Sequence, residues 1–326
     1  MELISIRQLS DKDVISERIF LVKDKSLGVG KTGKSFLTLL IGDQTGQIDG
    51  RIWDNVEELQ SKFEIGDLIK IKGLVQIYNQ RKQIIIHRLE KIVDGTLNKD
   101  DYKIKERLLD THALYSELFQ ITQQIEIPAL KQLVQDCLQD DEIKTKLLSA
   151  PAAKTIHHAH RGGLLEHIVS ISKIMLFMGQ HYPYLNKDLL LFGAIFHDLG
   201  KIWELDYTAQ QQIYYTQSGQ LLGHMLLSCE LIEKKSQRIL GFPEDLKVIL
   251  KHIVLSHHGK LEHGSPKKPM FPEAMVVAMI DDFDSKMDTM MGFINQERLA
   301  GESWSRYNEN FERFFMLEDL KQKWKI

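Results

Sequence analysis

The chain has 326 residues, 43% of them apolar and 27% charged, with a formal charge of −3. That length exceeds one ordinary compact domain and anticipates two or three folded units, while the near-neutral charge excludes a protein that binds nucleic acid by bulk positive charge and leaves room for a local basic groove. No stretch approaches the roughly 20 apolar residues that span a bilayer, and the opening MELISIRQLSDKD lacks the apolar centre of a secretion signal, so no membrane partner and a cytoplasmic location are expected.

Residues 15 to 93 alternate apolar and polar side chains over short runs: FLTLLI at 36–41, QIDGRIW at 47–53, LIKIKGLVQI at 68–77 and QIIIHRL at 83–89. Gly, Asp and Asn punctuate them in SLGVGKTGK, GDQTGQ and YNQRK. This spacing predicts about five antiparallel strands in a small barrel or sandwich, which an OB-fold fits best and another small β-barrel fits second. From about residue 100 the apolar period becomes helical, in DYKIKERLLDTHALYSELFQITQQI and PALKQLVQDCLQDDEIKTKLLSA, and it stays helical through DLLLFGAIFHDLGKI and PEAMVVAMIDDFDSKM. The fold class expected is therefore α+β and multidomain: an N-terminal OB-fold β-barrel over 1–96, a helical connector over 97–150 and an all-α helical bundle over 151–326.

The helical part carries the chemistry. His197 and Asp198, in FHDLGK, end an almost wholly apolar helix, where two polar groups are costly unless they are paired or hold a metal. Further candidates end or interrupt apolar helices: His167 in GGLLEH, His224 in LLGHMLL, His257 and His258 in LSHHG, and Asp281 in MIDDFDSK, with Asp282 and Asp284 close enough to compete with Asp281. Their long intervals predict ligands from separate helices converging inside a bundle. Cys137 and Cys229 form no CxxC pair, which leaves any metal to imidazole and carboxylate. That donor set suits manganese, iron, nickel, cobalt or zinc, and its size allows two ions.

The order H…HD…H…HH…D, with Lys in HDLGK, resembles the HD-domain phosphohydrolases. The phrases HHAHRGGLLEH, SHHGKLEHGSPKKPMFPEA and IDDFDSKMD resemble more specifically the YhaM family of bacterial 3′-to-5′ exoribonucleases, whose OB-fold and HD domain would cover most of the chain. The resemblance implies that His167, His197, Asp198, His224, His257, His258 and Asp281 are the ligand positions, His257 ahead of His258. It implies His158, rather than His157 or His160, as a residue near the scissile phosphate or terminal ribose, and it implies self-association. Two ions about 3.5 to 4 Å apart, with Asp198 between them and manganese favoured, would serve phosphodiester cleavage. Lys201, three residues after Asp198, would meet a phosphate oxygen if the helix continues. Lys267 and Lys268, in GSPKK, would hold a further phosphate. GVGKTGKS at 28–35 mimics a phosphate-binding loop at the wrong spacing.

In the strand-rich part, bases of a single strand can stack on aromatic rings while cations follow the backbone. Phe36, Trp53 and Tyr78, with Lys34, Arg51, Arg81 and Lys82 beside them, are the candidates, although Phe36 in SFLTLL reads more naturally as core. The positive bias is local: six Lys/Arg face two Asp/Glu over 66–91, against 15 and 14 over 1–95. The partner expected is single-stranded RNA, with single-stranded DNA as a further candidate. The alternatives are an HD phosphodiesterase of small nucleotides or cyclic dinucleotides, and a non-catalytic single-strand-binding accessory protein.

Overall fold

The computed structural model describes residues 5–29, 33–78, 81–93, 97, 99–102, 109–154, 158, 160–208, 213–298, 303–305 and 307–324. The chain divides into two compact units, Met1–Arg107 with Gly292–Ile326, and Leu108–Met291.

In the first unit, β1 (Val14–Val29), β2 (Ser35–Asp43), β3 (Gly46–Ile52), β4 (Leu68–Tyr78) and β5 (Arg81–Lys91) close a barrel in the order β1-β2-β3-β5-β4, with a short helix α1 (Val56–Gln60) between β3 and β4. All neighbours are antiparallel except β3 and β5, which run parallel, the five-strand barrel that the alternation predicts. Strand β1 is long enough to pair β2 with one half and β4 with the other, and its register shifts between Ile15 and Arg18 and between Val22 and Asp24 bend it around the closure. Period-two alternation sends Leu37, Leu39, Ile41, Ile69, Ile71, Ile84 and Ile86 inward. Arg18 meets Asp43 at 2.6 Å, and the same carboxylate accepts the Ile6 N–H and the Thr45 N–H, fixing the β2–β3 turn. Beyond the helices, Trp304 pairs with Met316 and Asn308 with Arg313 as isolated antiparallel bridges, ahead of α11 (Leu320–Trp324). The helical pattern expected through residue 326 therefore gives way to extended pairing, where Gly, Ser and Asn interrupt the apolar period.

The second unit contains α2 (Thr111–Thr122), α3 (Pro128–Leu138), α4 (Asp141–Leu147), α5 (Gly163–His181), α6 (Lys187–Phe196), α7 (Lys201–Glu204), α8 (Gln217–Ser236), α9 (Glu244–Ser256) and most of α10 (Pro272–Arg298). Residues 97–150, expected as a connector, supply Leu118, Leu130, Val134 and Leu147 to the same apolar cluster as Leu164, Ile168, Phe192, Ile253 and Val277. A two-stranded hairpin, β6 (Leu205–Tyr207) and β7 (Ile213–Tyr215), interrupts the helices between α7 and α8. Among the described residues, no helix is long and apolar enough to cross a membrane.

Candidate metal centre and nucleic-acid surface

Helix α6 is buried along nearly its whole length, and Gly193 is the reason it can approach α10: a Cβ there would lie 2.4 Å from a Val277 methyl. That approach carries Asp281, one helical turn after Val277, to the end of α6. There the His167 Nε2, on α5, lies 3.3 Å from the His197 Nε2 and 3.2 Å from the Asp281 Oδ1. The His197 Nε2 is 3.6 Å from the same Asp281 oxygen and 3.5 Å from the Asp198 Oδ2. An ion with bonds of about 2.0 to 2.2 Å spaces its ligand atoms about 3.0 to 3.5 Å apart; with the His167 Nε2 3.9 Å from the Asp198 Oδ2, these four groups stand close to the separations of a coordination shell.

The other oxygen of the same carboxylate turns to a second group. Asp198 Oδ1 lies 3.3 Å from the His224 Nε2 and 3.5 Å from the His257 Nε2, and His258 joins these imidazoles with all donor atoms within 4.8 Å of one another. Asp198 Oδ1, His224 Nε2 and His257 Nε2 are buried and, among the described residues, meet no hydrogen-bond partner of good geometry. Three such atoms converging on one point in an apolar core are unfavourable unless a cation satisfies them.

The opposite nitrogen of each ring explains why the lone pairs face inward. His197 Nδ1 donates to the carbonyls of Gly193 and Ala194, His257 Nδ1 to that of Val254, and His258 Nδ1 to that of His263. His167 Nδ1 donates to Asp284 at 2.8 Å and His224 Nδ1 to Glu204 at 3.1 Å. An N–H held this way fixes the tautomer that leaves Nε2 free to bind a metal. Gly223 supplies the remaining geometry: its φ of 76° breaks α8, so that the His224 N–H also reaches Glu204, at 3.0 Å. A side chain at Gly223 would be strained in that left-handed conformation.

Lys201, on α7, lies 2.6 Å from Asp198 Oδ2 and is almost buried. Burial would raise the Asp198 pKa, but the Lys201 ammonium and the His197 ring outweigh it and hold the carboxyl well below its usual range. Burial opposes a proton on His197, yet Asp198 and Asp281 push its pKa up to about 10, whereas burial pushes His257 down. Of the competing acids, Asp281 faces the rings, Asp284 accepts from His167 and Ser170, and Asp282 pairs with Lys286 outside. His158 is buried, with Nδ1 3.2 Å from Glu166 and Nε2 3.4 Å from Asp284, so both its nitrogens face carboxylates. Glu204 is the residue that sequence reasoning missed; its one signal is the three-residue spacing from Lys201, which puts both on one face of α7. His157 lies outside the described residues, and Lys267 and Lys268 are exposed in the loop between α9 and α10.

On the barrel, Phe36 is a half-buried neighbour of the core rather than part of it, because it has the opposite parity to Leu37 and Leu39. Its ring lies 4.9 Å from that of Trp53, which is 49% exposed, and the Arg51 guanidinium stands 5.3 Å from its centre. Register explains the grouping: Thr38 pairs with Arg51, whose guanidinium also donates to the Thr38 hydroxyl, and Gly28 pairs with Phe36 on the other side. Tyr78 is 64% exposed at the end of β4, paired in register with Arg81, whose side chain lies outside the described residues. Lys34 is exposed and Lys82 half-buried.

Two family comparisons match these regions: an OB-fold nucleic acid binding domain over residues 18–92 and an HD domain over 164–286. The chain is 32% identical over 270 residues to the 3′-5′ exoribonuclease YhaM of Bacillus pumilus, covering 83% of this chain and 84% of that one. The chain belongs to the YhaM family of 3′-5′ exoribonucleases. The YhaM of Bacillus subtilis is 31% identical over 84% of this chain and 86% of its own length, and that of Halalkalibacterium halodurans 33% over 84% of each. Within the YhaM family relationship, the His/Asp cluster supplies the donors for a divalent metal ion.

Proposed function

We propose that the chain is a metal-dependent exoribonuclease that removes nucleotides from the 3′ end of single-stranded RNA, with single-stranded DNA as a second substrate. The observation that carries this reading is Asp198, whose two oxygens face two different groups of imidazoles, each ring anchored through its Nδ1. Two ions fit that division, manganese first among the metals that imidazole and carboxylate favour. When bound, they activate water and neutralise charge on the phosphoryl oxygens. His167, His197, Asp281 and Asp198 would hold one ion, and His224, His257 and His258, with Asp198 beside them, would hold the other.

The chain's own groups do the rest. Lys201 is a fixed positive charge beside Asp198 for a phosphoryl oxygen, and its surroundings are dry enough to strengthen that contact. His158 borders the first group through Asp284. Phe36, Trp53 and Arg51 offer a stacking face and a cation to unpaired bases, exposed Tyr78 offers a further ring and Lys34 and Lys82 further cations, and Lys267 and Lys268 offer charge to the backbone from the loop between α9 and α10. Water adds across the terminal phosphodiester, so the phosphate stays on the released nucleotide as a 5′ monophosphate and the shortened strand regains a 3′ hydroxyl.

A 5′-labelled RNA incubated with the manganese-loaded protein tests this. The expected result is a ladder shortening one nucleotide at a time, abolished by a chelator and restored by manganese. Early internal fragments, or intact RNA beside rapid hydrolysis of cyclic dinucleotides, would overturn it.

A further inference from the structure

A second set of metal-type donors stands at the start of α5, apart from the atoms that surround Asp198. His158 Nδ1 and His160 Nε2 both lie 3.2 Å from the same oxygen, Oε2 of Glu166, and Asp288 Oδ1, on α10, is 3.9 Å from His158 Nδ1. The donor atoms of His158, His160 and Glu166 all fall within 4.8 Å of one another. We propose that His158, His160, Glu166 and Asp288 form a further binding site for a divalent transition-metal ion, for which zinc serves as the probe.

Two features point to an ion, and a third shows that the segment carrying His158 is held in one conformation. First, the rings follow the design of the larger centre: His160 Nδ1 faces the Arg161 carbonyl at 3.4 Å and His158 Nε2 faces Asp284 at 3.4 Å, so the opposite nitrogens can turn their lone pairs toward Glu166. Second, two imidazoles and a carboxylate place their donor atoms within reach of one ion, and Asp288, with Oδ1 3.9 Å from His158 Nδ1, stands beside them as a further carboxylate donor. Third, His158 holds its backbone at φ 44°, a left-handed conformation rare outside glycine. Hydrogen bonds secure it there: the His158 N–H donates to Asp288 at 2.7 Å, and its carbonyl accepts from the N–H groups of Ala152 and His160. Such strain persists where the surrounding contacts over-determine it. The ion would fasten the segment before α5 to α5 and α10 at once, and Asp284, which also orients His167, would border it.

The test is equilibrium dialysis of the full chain against zinc, comparing the parent with His160→Ala, Glu166→Gln and Asp198→Asn, with circular dichroism to establish that each is folded. His160 is 38% exposed, so its truncation spares the core. The expected result is that His160→Ala and Glu166→Gln each lose one equivalent of zinc, or bind it at least about tenfold more weakly, while Asp198→Asn keeps that equivalent and loses others. Parent-like zinc binding in both His160→Ala and Glu166→Gln would overturn the site and leave two imidazolium–carboxylate pairs in its place. Loss of every equivalent in Asp198→Asn would overturn its separateness.

Discussion

The barrel and the helical unit put their polar chemistry in opposite places. In the barrel, β2 and β3 turn leucines and isoleucines inward, and Phe36, Arg51 and Trp53 stand outside in one small cluster. In the helical unit, His167, His197, Asp198 and His257 are each 2% exposed or less, in the middle of the largest apolar cluster. Groups on an outer face act nearly alone, so their losses are graded. Groups that complete one another inside a core act as a unit and fail together.

The sharpest way to break this contrast is Asp198→Asn. Asp198 faces both imidazole groups, so RNA hydrolysis should fall by on the order of 10³-fold or more, with metal content reduced and helical circular dichroism unchanged. Retention of more than about a tenth of the parent rate would mean that the two groups work independently of Asp198. Glu204→Gln comes next. The amide still accepts from the His224 N–H but no longer fixes Nδ1 as the donor nitrogen, so manganese affinity measured by titration calorimetry should drop about 10- to 100-fold. Unchanged affinity would show that Gly223 alone aims His224. The smallest effect belongs to the barrel: Trp53→Ala should cost about 1 to 3 kcal/mol in binding a single-stranded oligonucleotide, read by fluorescence anisotropy. Hydrolysis of bis-p-nitrophenyl phosphate should stay at the parent rate, and an equal loss on both substrates would erase the distinction between the two regions.

The same contrast explains what could be read in the sequence. Strand alternation from Phe36 to Leu89 identifies the barrel because one face of every strand must be apolar, and the long intervals between His167, His197, His224 and His257 identify convergent helices. The IDDFD cluster stays ambiguous even with its helix assigned: at 3.6 residues per turn Asp282 leaves the face of Asp281 and Asp284, but only packing turns Asp281 to the rings and Asp284 to the His167 Nδ1. Phe36 is misleading because Phe36, Leu37, Leu39 and Leu40 put apolar residues on both faces of β2, and only register gives Phe36 the outer parity. Glu204 is hard to read because, beyond its spacing from Lys201, a Glu after Trp203 looks like any solvated helix end until α7 packs against the kink in α8. The bridges of residues 304–316 involve single pairs, too short to leave a period.

The anchors on the imidazoles also separate in time. His197 and His257 are held by carbonyls three or four residues back, bonds that exist as soon as α6 and α9 form. His224 waits for a partner 20 residues away, and His167 for Asp284, 117 residues later in the chain. Closing so long a loop is the slow and entropically costly step. During refolding, the His197 and His257 rings are therefore oriented locally and His224 by the packing of α7 on α8, while His167 waits for Asp284, and the first group for Asp281, until α10 docks. Tight metal uptake should accordingly lag behind helix formation, so that the rate at which a refolding chain captures an ion measures the docking of one helix rather than the folding of the whole.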